Sequence, residues 1–172
     1  MQQMRTPELF AAAFATIRDL VESTVDGLDP ATLAFRPDSD ANSIGWLIWH
    51  LTRVEDDHVA GVAQVPQAYT TGGFAERFAL PFEVGDIGYG HSSEEVRAVK
   101  LPDPTLLVDY HLAVARSTLG YVSGLDDDDL DRVVDRNWDP PVTAGVRLQS
   151  VVSDCLQHLG QAAYVRGLAT RR

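Results

Sequence analysis

The sequence predicts an all-α protein, a four-helix bundle with a long crossover between its second and third helices. Three observations carry that expectation. Four stretches repeat their apolar residues at helical spacing, no stretch sustains strand alternation over a useful length, and capping residues, Gly or Pro bound the four stretches. Helices of about twenty residues, each apolar along one stripe, bury those stripes most simply against one another.

The first helix is expected from about Thr6 to Gly27, with Leu9, Phe10, Ala13, Phe14, Ile17, Leu20, Val21 and Thr24 on its stripe. Thr6 reads as its cap, Pro7 as its first helical residue and Gly27 as its end. The second runs from about Ser43 to Val65, opened by Asn42 or Ser43 and stopped by Pro66, with Ile44, Leu47, Ile48, Leu51, Val54 and Val62 turned inward. Pro102 or Pro104 introduces the third, which carries Leu106, Leu107, Tyr110, Val114, Tyr121 and Leu125. The fourth runs from about Val146 to Ala169, after the turn Trp138-Asp139-Pro140-Pro141.

The segment from Pro66 to Pro104 is too long for a bundle loop. It holds Gly72, Gly73, Gly85, Gly88 and Gly90 among the aromatics Phe74, Phe78, Phe82 and Tyr89. Ser92 and Glu95 form a capping box and predict a short helix there. A connection of this length is expected either to cross over the end of the core or to act as a lid on a site. Asp126 to Asp129 favours another short helix start through its dipole, and it lacks the Gly and final Glu of a calcium loop.

Composition sets the function classes aside one by one. The 172 residues carry 14 basic and 25 acidic side chains, a formal net charge of −11, with Lys100 the sole lysine. That acidity argues against a nucleic-acid partner, which requires cations along the phosphates. No apolar run approaches the 18 or so residues of a membrane span. The length fits a single domain over residues 1–172. Cys155 is alone, so no intramolecular disulfide forms, and it reads as a small buried hydrophobe. Leu9 to Ile17 lacks the basic flank of a secretory leader, and a cytoplasmic protein is expected. The glycines at 85, 88 and 90 do not end in the Gly-Lys-Ser/Thr of a phosphate loop, and there is no Gly-x-Ser-x-Gly elbow.

Three residues carry the candidate chemistry. Asp154 and His158 lie four apart on the fourth helix, so they project from one face a turn apart. His50 stands in the apolar run Trp46-Leu47-Ile48-Trp49-His50-Leu51, where an unpaired imidazole is costly. Inward ligands from two facing helices build metal sites in bundles, and two His plus a carboxylate suit a divalent ion such as Zn²⁺, Ni²⁺ or Fe²⁺. An Asp154–His158 hydrogen bond without metal explains the same spacing. Asp57, seven residues after His50, lies near the same face and is able to orient it, but reads first as a solvated surface carboxylate. His58 and His111 fall on other faces, while His91 sits in a loop able to fold over the bundle mouth.

Ser43-Ile44-Gly45-Trp46-Leu47-Ile48-Trp49-His50-Leu51 and Asp154-Cys155-Leu156-Gln157-His158-Leu159-Gly160-Gln161 resemble the two signatures of the DinB-like superfamily. That group of four-helix metalloproteins includes mycothiol-dependent maleylpyruvate isomerase and the bacillithiol transferases. The resemblance implies one divalent metal, Zn or Ni, near one end of the bundle, with His50 and His158 matching family ligands. Many members have a third His where this chain has Asp154, and the mycothiol-dependent isomerase group has a carboxylate there. It further implies a homodimer and chemistry on a low-molecular-weight thiol such as mycothiol, either S-transfer to an electrophile or thiol-dependent isomerisation. Gln161, one turn beyond His158, and His91 are the candidate catalytic groups. Two other readings use the same trio: a metal-dependent hydrolase, and a non-catalytic helical binding or dimerisation protein with a structural Asp–His pair.

Overall fold

The computed structural model describes residues 5–171, and it is all-α apart from one small ribbon. The elements are α1 (Thr6–Val25), α2 (Pro30–Leu33), α3 (Ile44–Ala63), α4 (Ala68–Thr71), α5 (Phe74–Phe78), α6 (Ser93–Ala98), α7 (Thr105–Ser123), α8 (Asp127–Leu130), β1 (Val133–Asp135), β2 (Val142–Thr143) and α9 (Ala144–Ala169). The long helices are the four expected ones. Each packs on two others, α1 and α3 both lying against α7 and α9.

Several starts follow the sequence reading. The Ser43 hydroxyl caps α3 by accepting from Trp46 N–H at 3.1 Å, and the Ser92–Glu95 capping box opens α6. Two starts differ. Thr6 is the first helical residue rather than the cap, and Glu8 closes the turn by accepting from Arg5 N–H at 3.1 Å. Helix α9 begins two residues before Val146, because the antiparallel ribbon of β1 and β2 delivers the chain to a cap at Thr143. Strands of three and two residues leave no periodicity to detect. On α1, Leu9 and Leu20 stay exposed at the edge of the stripe, while Phe14, Ile17 and Val21 fill the core.

Helix direction explains the long connection. Arg166, near the end of α9, donates to the carbonyls of Ser23, Thr24 and Asp26 at the end of α1, so these two helices run the same way. Arg132 bridges Val62 O (2.9 Å) and the Tyr121 hydroxyl (3.0 Å), which places the ends of α3 and α7 together. The parallel pair α3 and α7 requires the chain to return the length of the bundle between them, which a short loop cannot do.

Helix α3 is central, and polar side chains between His50 and Asp56 are buried along with the apolar ones. Arg53 and Asp56 hold the crossover down. Arg53 donates to Gln67 Oε1 (2.9 Å), Tyr110 OH (3.2 Å) and the carbonyl of Asp86 (3.2 Å), and its guanidinium lies 4.2 Å over the Tyr69 ring. The Asp56 carboxylate accepts from the backbone N–H of Ala68 and Tyr69 and from Tyr110 OH. Phe74 and Phe78 pack on Tyr110, so these two aromatics belong to the core under the crossover.

Two further titratable groups sit in this interior. Burial raises the Glu55 carboxyl to about 8; the nearby Thr118 hydroxyl eases its ionisation but falls short of hydrogen-bond geometry. Burial lowers His111 to about 3, with the Arg18 charge adding to it; His111 Nδ1 meets the Thr52 hydroxyl at 3.1 Å and Nε2 has no partner among the described residues. A protonated Glu55 is the stable folded form, so stability is lost as pH rises from the ordinary carboxyl value of 4.5 to about 8. A neutral His111 is the stable folded form, so stability is lost as pH falls from 6.5 to about 3. Each limb has a slope of about 1.4 kcal/mol per pH unit. Between 4.5 and 6.5 the two cancel. Urea midpoints across pH are expected to lose the alkaline decline in Glu55→Gln and keep it in His111→Phe; an unchanged slope in Glu55→Gln would refute the assignment.

Candidate metal centre

The structure brings His50, Asp154 and His158 together. One potential ligand atom from each lies within 4.8 Å of the other two, across the α3–α9 contact. His50 is 4% exposed, in the bundle interior as its apolar neighbours require. The His50 and His158 rings meet edge-on, with centroids 4.7 Å apart. His158 Nε2 lies 3.6 Å from Asp154 Oδ1.

Hydrogen bonds fix which nitrogen of each imidazole is free. His50 Nδ1 donates to the carbonyl of Ile87 at 2.5 Å, which leaves its Nε2 as a bare lone pair. His158 Nδ1 donates to Gln161 Oε1 at 3.1 Å, which directs its Nε2 toward Asp154. Asp154 Oδ2 is buried and partnerless among the described residues. Two imidazoles held at Nδ1 and a carboxylate oxygen lacking a donor are a donor set that could hold one divalent cation.

The electrostatics agree with that fit. Burial keeps the His50 imidazole neutral by pushing its pKa down, and the nearby His158 adds to this. Burial opposes ionisation of Asp154, but its bond to His158 and the charges of His158, His50 and His58 outweigh burial and hold the carboxyl below its ordinary value. His158 moves up, chiefly through Asp154, against the effect of burial. Both shifts favour the ionised Asp154–His158 pair.

The crossover covers this centre. The Trp46 ring stacks on His50 with centroids 4.6 Å apart, and Tyr89 meets His50 edge-on at 5.9 Å. Gly88 adopts φ +93°, and a Cβ there would stand 2.8 Å from His50 Nδ1, so glycine is required for the close approach. Phe82 lies one layer out, against Trp49 and His91. Beside Asp154 a cleft of about 400 Å³ opens, lined by His58, Tyr89, Arg147, Ser153 and Gln157.

The other residues singled out in the sequence take these places. Asp57 does not orient His50: it accepts from Gln67 Nε2 and lies 3.3 Å from His58, and the Ile87 carbonyl takes the place expected for it. A carbonyl 37 residues away in a loop carries no sequence mark. Gln161 holds His158 through Oε1, so that oxygen is not free for substrate. His91 has both nitrogens engaged, Nδ1 with Trp46 and Nε2 with Asp86, behind the trio. His58, expected on another face, lines the cleft beside Asp154 and is not one of the trio.

A family model described as mycothiol-S-transferase matches residues 9–170. Among solved structures, a conserved protein from Enterococcus faecalis superposes with a TM-score of 0.89 at 30% identity, over 99% of this chain and 100% of that one. No curated protein matches the chain.

Proposed function

The chain belongs to the mycothiol-S-transferase family, and from that premise we propose that it transfers a low-molecular-weight thiol to an electrophile at a divalent cation held by His50, Asp154 and His158. The observation that carries this reading is the donor set itself: one ligand atom from each of two imidazoles and a carboxylate converge within 4.8 Å, and the unmet demand is the buried Asp154 Oδ2, unpartnered among the described residues. A cation bound there, Zn²⁺ or Ni²⁺ by its ligands, would lower the pKa of the thiol and favour the thiolate.

The chain's own residues supply the remainder. Asp154 neutralises part of the positive charge, and the Ile87 carbonyl and Gln161 hold the two imidazoles in ligand orientation. Trp46 and Tyr89 wall the centre with aromatic surface and limit water at the sulfur. The cleft beside Asp154 takes the body of the thiol or the electrophile, with Arg147 and His58 facing it. In the transfer the thiol gives its proton to solvent water, sulfur forms a bond to an electrophilic carbon, and the leaving group departs with the electron pair of the bond that breaks.

Elemental analysis of protein purified without a metal-affinity tag is expected to find about one equivalent of metal. Turnover of an electrophilic substrate is expected to require both mycothiol and that metal. Metal-free protein that neither gains activity nor becomes more stable when Zn²⁺ or Ni²⁺ is added would overturn the proposal.

A further inference from the structure

The second imidazole shell is a closed ring of contacts rather than a single hydrogen bond. Starting from His50, Nδ1 donates to Ile87 O. The next residue, Gly88, donates its N–H to Asp86 Oδ1 at 2.7 Å. The other oxygen, Asp86 Oδ2, lies 3.0 Å from His91 Nε2, and His91 Nδ1 lies 3.1 Å from the indole nitrogen Trp46 Nε1. Trp46 stacks on His50 and closes the ring.

The protons in this ring are determined by its fixed donors. An indole N–H only donates, so His91 Nδ1 must accept. His91 is then a neutral imidazole with its proton on Nε2, and that proton goes to Asp86. The His91 side chain is 4% exposed and is packed between Phe82 and Trp49, so the ring cannot turn over without unpacking both. Asp86 thus receives two donors, and between them it fixes the turn that presents the Ile87 carbonyl.

We infer that Asp86 and His91 are positioning residues of the metal centre: through the 86–88 turn they hold the Ile87 carbonyl on His50 and so keep the His50 proton on Nδ1 and its Nε2 free. The consequence for metal affinity rests on the proposed function; the consequence for the His50 tautomer does not, because it exists in the metal-free protein.

The test uses the full chain, metal-free, with ¹⁵N-labelled histidine. Long-range ¹H–¹⁵N spectra of the wild type are expected to show His50 with a protonated Nδ1 and a bare Nε2. His91→Phe keeps the ring packing and removes both nitrogens, while Asp86→Ala removes both acceptors. In each, His50 is expected to become a mixture of tautomers, with Asp86→Asn, which keeps one acceptor, between them and wild type. Zn²⁺ affinity by chelator competition is expected to fall about 10–100-fold in His91→Phe and Asp86→Ala. A loss of packing alone would lower the melting temperature without moving the tautomer, and that result overturns the inference. So does a wild-type His50 protonated on Nε2. Wild-type protein with the expected tautomer but no metal affinity would instead defeat the metal reading and leave this inference standing.

Discussion

Asp154→Ala protein is expected to melt at the same temperature in chelator as in Zn²⁺ or Ni²⁺, while the wild type gains stability when metal is added. A ligand present at 100 times its Kd stabilises the folded state by about 2.7 kcal/mol. Removing Asp154 deletes one of the three proposed protein donors and the sole carboxylate among them. Losing even an outer partner of a metal ligand costs about 10–100-fold in affinity, and losing the ligand itself costs at least that. Thiol-dependent activity is expected to disappear with it. In chelator the variant is expected to be close to wild type. It loses a 3.6 Å pair with His158, and it also removes a buried oxygen that has no donor. A wild type indifferent to metal, beside a variant weakened equally with and without chelator, would make the trio a structural Asp–His pair.

The second large effect is expected at Arg53. The guanidinium is completely buried and is the common partner of α3, α7 and the crossover. Arg53→Met leaves the buried Asp56 without its cation, and breaking a buried pair from one side costs about 3–5 kcal/mol. Equilibrium urea unfolding measures that loss, and a change under about 1 kcal/mol would show that the pair is not structural. Because Arg53 also holds Gln67 and the Asp86 carbonyl, amide exchange is expected to accelerate most between residues 67 and 88. A loosened 86–88 turn frees the Ile87 carbonyl, so the same variant is expected to bind metal more weakly without touching a ligand. Arg53→Met with Asp56→Leu is expected to regain part of the stability, since the orphaned charge is gone.

Local chemistry was enough to read much of the molecule from its residues. Ser43 and the Ser92–Glu95 box announce helix starts because a hydroxyl at the cap satisfies N–H groups that no other part of the helix reaches. The four apolar stripes specify four long helices because each must be hidden from water. The His50, Asp154 and His158 cluster was visible for a related reason: a four-residue spacing places two side chains on one helix face whatever the rest of the fold does, and an imidazole in an apolar run requires a partner.

The tertiary structure decided everything that depends on two distant segments meeting. Parallel packing of α3 and α7, and with it the need for a long crossover, follows from which helix ends coincide. The burial of Arg53, Glu55 and Asp56 follows from the central place of α3, which hides faces that a lone amphipathic helix would leave in water. The orientation of His50 is set by a main-chain carbonyl, and every residue has one, so no side-chain pattern marks Ile87. Gly88 shows the same limit: its absent Cβ matters only because His50 lies where the atom would stand. Sequence marks the candidate donors of this centre through short-range geometry. Their tautomers, charges and cover come from contacts that exist only once the chain has closed over itself.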